Sequence, residues 1–205
     1  MARRGDELRE HILWVAKDVF LEMGFERASM DVVAARAATS KRSLYAHFES
    51  KEKLFLAVIE LVRGLLLDRL KLPADYADDP HEALVLFCGR FLEVLVWKRT
   101  VRMCRLTLAE AERFPEGATT FYEAIFGTAQ ERLEAFLRER LTWPRKAAAQ
   151  TAAELLGRVL YPRFPRALFG LDAITDDRLD DERISAQLDL RPIRAAVTEL
   201  VAKRR

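Results

Sequence analysis

The chain has 205 residues, of which 50% are hydrophobic and 32% are charged. This composition argues against both intrinsic disorder and membrane insertion, and the length suits one large domain or two small ones with a sizeable core. No uncharged apolar stretch approaches the roughly 20 residues of a membrane-spanning helix. The net charge of +2 is too small to indicate a nucleic-acid partner by itself.

The first residues and the two cysteines bear on the compartment. Residues 1–4 are followed by Gly-Asp-Glu rather than by an apolar segment, so we expect no secretory signal and a cytoplasmic location. Cys88 and Cys104 lie in apolar helical segments without partners at metal-ligand spacing. They are predicted to be reduced core residues, with no metal and no cofactor, although a redox-sensing thiol stays open as an alternative.

Helical periodicity runs along the whole chain and predicts an all-α fold. The first predicted helix carries an apolar stripe over residues 8–23 and stops at Gly24, a residue that commonly ends helices. Ser29 is a plausible N-cap for a short second helix that runs to about Ala37. A third helix is predicted over residues 41–48, after a capping signal at Thr39 and Ser40.

A fourth predicted helix, capped by Ser50, covers residues 51–70 and leads to a proline-containing acidic segment at 71–80. We therefore predict an amino-terminal domain over residues 1–50, a connecting helix over 51–70 and a larger helical domain over 71–205. In that domain, helices are predicted to begin at Pro80, after Pro115 and after Pro144, a loop covers 161–182, and a last helix contains Ile193 to Val201.

The second and third helices form a helix-turn-helix by construction, because only three or four residues separate them. Leu44 and Phe48 share one face of the third helix and can pack against the second. The remaining faces are rich in hydrogen-bond donors and fit the major groove of B-DNA. Five cations oppose two glutamates between Arg36 and Lys53. An ordinary exposed hairpin of mixed charge is an equally good interpretation of these residues alone.

A resemblance decides between these readings. Residues 43–54, Ser-Leu-Tyr-Ala-His-Phe-Glu-Ser-Lys-Glu-Lys-Leu, resemble the signature of the TetR family of bacterial transcriptional regulators, which is Leu-Tyr-x-His-Phe followed by Ser-Lys-Glu. The likeness covers residues 7–66. It implies a three-helix DNA-binding domain, an all-helical ligand-binding and dimerisation domain, a homodimer on a double-stranded DNA operator, and repression relieved by a small-molecule effector.

The resemblance also implies individual DNA contacts. Ser29 takes the place of the phosphate-contacting residue at the start of the second helix, and Lys51 that of the cation at the start of the fourth. The full set of predicted contacts is Ser29, Thr39, Ser40, Lys41, Arg42, Ser43, Tyr45, His47 and Lys51. For His47, Tyr45 and Lys51 the alternatives are a satisfied surface histidine, a tyrosine that caps the apolar packing, and a solvated cation.

Two positions depart from the family pattern. Ala38 replaces the turn glycine, so either Ala38 is right-handed or the turn bears a cost of about 1 kcal/mol. Ala46 stands where the family often has a second tyrosine, which removes one possible phosphate contact.

The second domain is rich in aromatic residues, since twelve of the nineteen lie between Phe87 and Phe169. Such side chains line apolar ligand pockets, although plain core is the commoner fate of any one of them. The family resemblance suggests an effector pocket, and the candidates are Phe87, Phe91, Trp97, Phe121, Tyr122 and Phe126.

Ala149, Ala153 and Gly157 recur every four residues and would let another helix approach closely. By the family resemblance, this helix and the last one form the dimer interface; intramolecular core is the alternative. The interface candidates are Ala149, Ala153, Leu156, Gly157, Leu160, Ile193, Val197 and Leu200.

Enzymatic activity is not expected. His11, His47 and His81 fall in three different predicted helices, and no metal-ligand or phosphate-loop motif is present. The predicted function is a sequence-specific DNA-binding regulator, a repressor that an apolar or aromatic ligand releases. The alternative is an all-helical small-molecule binding or scaffold protein without DNA binding, which would lack salt-dependent affinity for duplex DNA.

Overall fold

The computed structural model describes residues 2–172, 174, 179, 180 and 184–202, with side chains from residue 5 onward. Within these residues the fold is all-helical and has no strand, as predicted. The α-helices are α1 (Ala2–Arg27), α2 (Met30–Arg36), α3 (Lys41–His47), α4 (Lys51–Arg69), α5 (Pro80–Val96), α6 (Lys98–Ala109), α7 (Pro115–Tyr122), α8 (Thr128–Leu141), α9 (Arg145–Leu160), α10 (Arg163–Leu168) and α11 (Arg191–Ala202). A 3-10 turn covers Pro73–Asp75 and a π-helical turn covers Glu123–Gly127.

The chain divides into two compact units. The first contains residues 1–65 and 102–121, and the second contains residues 66–101 and 122–205. This division differs from the predicted order of 1–50, 51–70 and 71–205. Most of α4 belongs to the first unit, and so does a stretch that sequence reasoning assigned to the second domain, because its side chains pack against α1 and α4.

Serine caps and a left-handed glycine define the first helices. Gly24 has a φ of 73°, which interrupts α1 where the sequence predicted its end. The hydroxyl oxygens of Ser29, Ser40 and Ser50 accept from the backbone amides three residues later at 3.1–3.2 Å. All three predicted N-caps are therefore confirmed, and they set the starts of α2, α3 and α4.

Four phenylalanine rings form the centre of the first unit. Phe25 lies 5.1 Å from Phe55 and 4.9 Å from Phe114, centroid to centroid, in edge-to-face contacts. Phe20 completes the cluster at 5.2 Å from Phe55. Close by, a Cβ on Gly117 would stand only 2.8–2.9 Å from the terminal side-chain carbons of Ile59 and Leu56 in α4, so a larger residue would require these side chains to shift.

The second unit is built around α5, which is buried almost all round as predicted. Helices α9 and α11 pack against α5 and against each other, and α8 packs against α9. Within α5, Arg90 and Glu93 form a buried ion pair at 2.7 Å. Glu93 also accepts from the backbone amide of Ser185 at 2.7 Å, so both charges are held by specific partners.

One prediction for the second unit is wrong. The segment predicted as a loop over 161–182 contains α10, whose Phe164 and Ala167 are buried. The long helix predicted after Pro115 is confirmed, because α7, the π-helical turn and α8 follow one another without a gap over residues 115–141. Sequence reasoning did not predict the π-helical turn within it.

The turn between α2 and α3 supplies a test of backbone strain. Ala38 has a φ of 49°, the left-handed conformation that disfavours any residue with a Cβ. Ala38→Gly should raise the free energy of unfolding by about 0.5–1 kcal/mol, because relief of strain exceeds the added entropy of the unfolded chain. Ala35→Gly, at an exposed position inside α2, is the matched control and should lower it by a similar amount. Urea unfolding of both variants measures this, and equal losses would contradict a strained turn.

Candidate nucleic-acid interface

Helix α3 buries one face and leaves the others to solvent. Leu44 and the C-cap residue Phe48 are buried, as predicted, against a core that includes Val33 of α2. The guanidinium of Arg9 covers the Phe48 ring at 5.1 Å. Two buried anchors and a capped start thus hold a seven-residue helix whose outer surface makes few contacts of its own.

The structure brings eight of the nine predicted DNA contacts to one helix-turn-helix, with accessible side chains. Thr39 and Ser40 lie in the turn, and Ser29 precedes α2. Exposed or half-buried residues of α3 complete the group, namely Lys41, Arg42, Ser43, Tyr45 and His47. Their position fits a surface that meets both base edges and phosphates. We call these eight residues the α3 face.

Ion pairs at this surface are exposed and therefore easily exchanged. The ammonium of Lys41 lies 2.7 Å from a carboxylate oxygen of Asp31, and both side chains are about 60% exposed. Arg36 pairs with Glu22 at 2.5 Å under similar exposure. Such pairs contribute little in water, so Lys41 can leave Asp31 for a nucleic-acid acceptor at small cost.

Lys51, the ninth predicted contact, has a different environment. Its ammonium donates to the backbone carbonyls of Phe25, Glu26 and Ala28 at 3.0, 3.3 and 3.1 Å. It also lies 4.3 Å from the centre of the Phe25 ring. The three donors of the ammonium are thus engaged within the protein, and a phosphate contact would require Lys51 to leave these acceptors.

Sequence reasoning missed Arg113, which follows α6. Its guanidinium lies 4.5 Å above the Phe25 ring and pairs with Glu26 and Glu52. Hydrogen bonds from the backbone amide and from Ser50 at the start of α4, with the nearby Arg113 charge, lower the pKa of Glu52. No local motif marks Arg113, because its partners are more than fifty residues away in sequence.

The predicted pocket aromatics are divided between the two units. Phe121 belongs to the first unit, and the other five belong to the second. Phe87 packs edge-to-face on Tyr76, and Trp97 lies beneath Arg69 and Arg99. Phe91 lines a cavity of about 10 Å³, which has room for about one water. The other lining residues are Leu66, Leu67, Leu70, Val94, Leu95, Ala124 and Ile125.

A smaller aromatic group does form in the second unit. Phe126 lies 6.3 Å from Phe91, 5.2 Å from Tyr122 and 6.0 Å from Phe164, measured between ring centres. Tyr122 is 58% exposed, so this group extends from the interior to the surface.

The predicted dimer residues fall into two sets. Leu156, Ile193, Val197 and Leu200 are buried within the protomer, which favours the alternative of intramolecular core for these four. The other four are at least partly accessible, namely Ala149, Ala153, Gly157 and Leu160. A Cβ on Gly157 would meet nothing within 4 Å, which leaves this row open to another helix.

Other chemistry finds little support in the described part of the chain. Burial raises the pKa of Cys88, and it raises that of Cys104 to about 12, so neither thiol has the character of a redox sensor. The described residues contain no group of three metal-ligating side chains. Among them, no helix combines the length and apolarity that a bilayer span requires.

Comparison with known proteins establishes the family. The model for "Bacterial regulatory proteins, tetR family" matches residues 12–58. A second model, "AefR-like transcriptional repressor, C-terminal domain", matches residues 82–190, more than half of the chain. The chain belongs to the TetR family. TetR-family proteins are DNA-binding transcriptional regulators, as the sequence resemblance implied.

Individual relatives agree with this assignment. The transcriptional activator FasR of Mycolicibacterium smegmatis is 47% identical over 55 residues, which are 27% of this chain and 25% of FasR. The transcriptional repressor NicS of Pseudomonas putida is 34% identical over 102 residues, or 49% of this chain and 45% of NicS. The solved structure of the flavonoid-responsive regulator FrrA has a TM-score of 0.74 and 26% identity over 97% of both chains. The chain thus matches less than half the length of these two sequence relatives.

Proposed function

We propose that this TetR-family protein is a dimeric repressor in the cytoplasm that binds a pseudo-palindromic operator and leaves it when a small molecule binds. The observation that carries the proposal is the α3 face, which presents two cations, five hydroxyls and an imidazole around a short capped helix held by two buried anchors. One such helix buries too little surface for specific binding by itself, so two copies are required. NicS, a named repressor, supports repression over activation, although FasR is a named activator.

Roles within the α3 face follow from position. Lys41, Arg42 and Ser43 stand in the first turn of α3, where side chains of a recognition helix reach base edges. The hydroxyls of Tyr45 and Thr39 and the imidazole of His47 are suited to phosphate oxygens. Ser29 and Ser40 accept at their helix starts and retain a hydroxyl proton to donate to phosphate.

Substitutions should separate these roles. Tyr45→Phe removes one phosphate donor and should weaken binding to all duplexes alike, whereas Arg42→Ala should cost about 1–3 kcal/mol on the preferred sequence and relax the base preference. Gel-shift titrations with duplexes selected from a random pool, and with unselected duplexes, measure both effects. Lys146→Ala, at an exposed position of α9, is the control.

The same titrations test the proposal as a whole. Wild-type affinity should fall steeply as salt rises. Unchanged affinity in the Tyr45 and Arg42 variants would place the docking surface elsewhere. Salt-insensitive or absent binding of the wild type would favour the helical ligand-binding protein without DNA.

We propose the accessible row Ala149, Ala153, Gly157 and Leu160 as the dimer seam. Small side chains allow a helix of the second copy to approach α9 closely. Exposed Tyr161 follows directly, and Arg158 is held beside the row by its ion pair with Glu199 at 2.7 Å. The row is therefore accessible to a second helix.

A charge within this row tests it. Ala153→Glu should yield folded monomers, because a closely packed seam would bury the carboxylate without a partner. Ala135→Glu, at an exposed alanine of α8, is the matched control and should stay dimeric. Sedimentation velocity distinguishes the two states. A dimeric Ala153→Glu variant would remove α9 from the interface.

The effector is proposed to be an apolar or aromatic molecule that the protein binds unchanged. The contacts of Phe91, Phe126 and Phe164 in the second unit support this chemistry. Since the cavity beside Phe91 holds about one water, the ligand must enlarge it. Displacement of α4 would then move the two recognition helices away from the spacing of about 34 Å between successive major-groove half-sites.

Thermodynamic linkage between effector binding and operator binding sets the size of the expected effect. A ligand that weakens operator binding tenfold must bind the DNA-bound protein tenfold less well, a coupling of about 1.4 kcal/mol. A thermal-shift screen of apolar and aromatic compounds identifies binders, and operator titration with each binder measures the coupling. Compounds that raise the melting temperature but never change operator affinity would argue against induction by a ligand of the second unit.

A further inference from the structure

The carbonyl end of α1 has an unusual partner. Helices end with carbonyl oxygens that lack intrahelical donors, and the helix dipole makes this end negative. Here the oxygens of Phe25 and Glu26 in the last turn of α1, and of Ala28 just after it, converge on the ammonium of Lys51 at 3.0–3.3 Å. Two of these three bonds are partly buried. One cation from α4 thus satisfies the end of α1.

Lys51 is also tied to the core and to α3. Its ammonium lies 4.3 Å from the Phe25 ring, and Arg113 covers the same ring at 4.5 Å. Only residues 48–50 join Lys51 to α3, and Phe48 is buried. Because only three residues link the two helices, any shift at the start of α4 also displaces the end of α3.

We propose that Lys51 is a positioning residue that caps α1, fixes the start of α4 and thereby sets the orientation of α3, and that it does not bind a DNA phosphate. The inference rests on the proposed DNA-binding function. An exposed lysine exchanges water for phosphate easily, whereas Lys51 would have to abandon three carbonyls and a ring face. Two of those carbonyl contacts are partly buried and would then lack a donor.

Two variants of the full-length protein test the proposal. Lys51→Met removes the charge but keeps the length and apolar volume of the side chain. Lys53→Met, at an exposed lysine two residues later, is the control. Lys51→Met should lower the melting temperature by roughly 5 °C because the cap is lost. It should reduce the preference for a selected duplex over a random-sequence duplex by roughly tenfold, the size of one lost base contact. Lys53→Met should change neither quantity.

The salt dependence of binding separates positioning from phosphate contact. Each lost phosphate contact reduces the slope of log K against log salt by about 0.9, so Lys51→Met should keep the wild-type slope. A reduced slope, or an unchanged melting temperature, would overturn the proposal.

Chemical labelling of the wild-type protein keeps the test valid if Lys51→Met fails to fold. Reductive methylation followed by peptide mass spectrometry should modify Lys51 several-fold more slowly than Lys53, and saturating duplex DNA should add no protection at Lys51. Equal rates, or protection of Lys51 by DNA, would contradict the inference. If the wild type binds no duplex, the proposed function fails, while the melting temperature and the labelling without DNA still decide whether Lys51 is the cap.

Discussion

The first unit depends on the burial of one ring, that of Phe25. Phe20 from α1, Phe55 from α4 and Phe114 from the turn before α7 all contact it, and Lys51 and Arg113 place their charges over it. Aromatic rings bury large apolar areas and prefer defined edge-to-face geometries. Because three separate stretches of chain meet at one ring, the helix-turn-helix is stabilised by residues more than fifty positions away from it.

This arrangement leaves the α3 face free for recognition. The buried side chains of Leu44 and Phe48 anchor α3, and the Ser40 cap fixes its start. Few of its outward side chains are therefore needed for stability. The pair between Lys41 and Asp31 is exposed and weak. A rigid helix with uncommitted side chains binds DNA with little loss of conformational entropy, which is the physical basis of the proposed repressor function.

The second unit is organised around a central helix, α5, that is buried almost all round. Such a helix needs apolar neighbours everywhere, and α9 and α11 provide them with Leu156, Val197 and Leu200. The buried ion pair between Arg90 and Glu93 is stabilised by its close geometry and by the hydrogen bond from the Ser185 amide. The interior is therefore tightly packed around α5, while the small side chains of Ala153 and Gly157 on α9 stay exposed.

Local signals in the sequence determined much of this protein. Helix periodicity, the caps Ser29, Ser40 and Ser50, the stop at Gly24 and the family signature predicted the all-helical fold and the family, because each depends on neighbours within four residues or on a contiguous motif. Tertiary structure alone decided the rest. The capping role of Lys51, the contacts of Arg113 and Phe114 with α1 and α4, the burial of Ile193 and Val197 and the left-handed turn at Ala38 depend on which distant surfaces meet. Periodicity identifies which side of a helix is apolar, but it does not specify whether a second helix, a second subunit or a ligand covers that side.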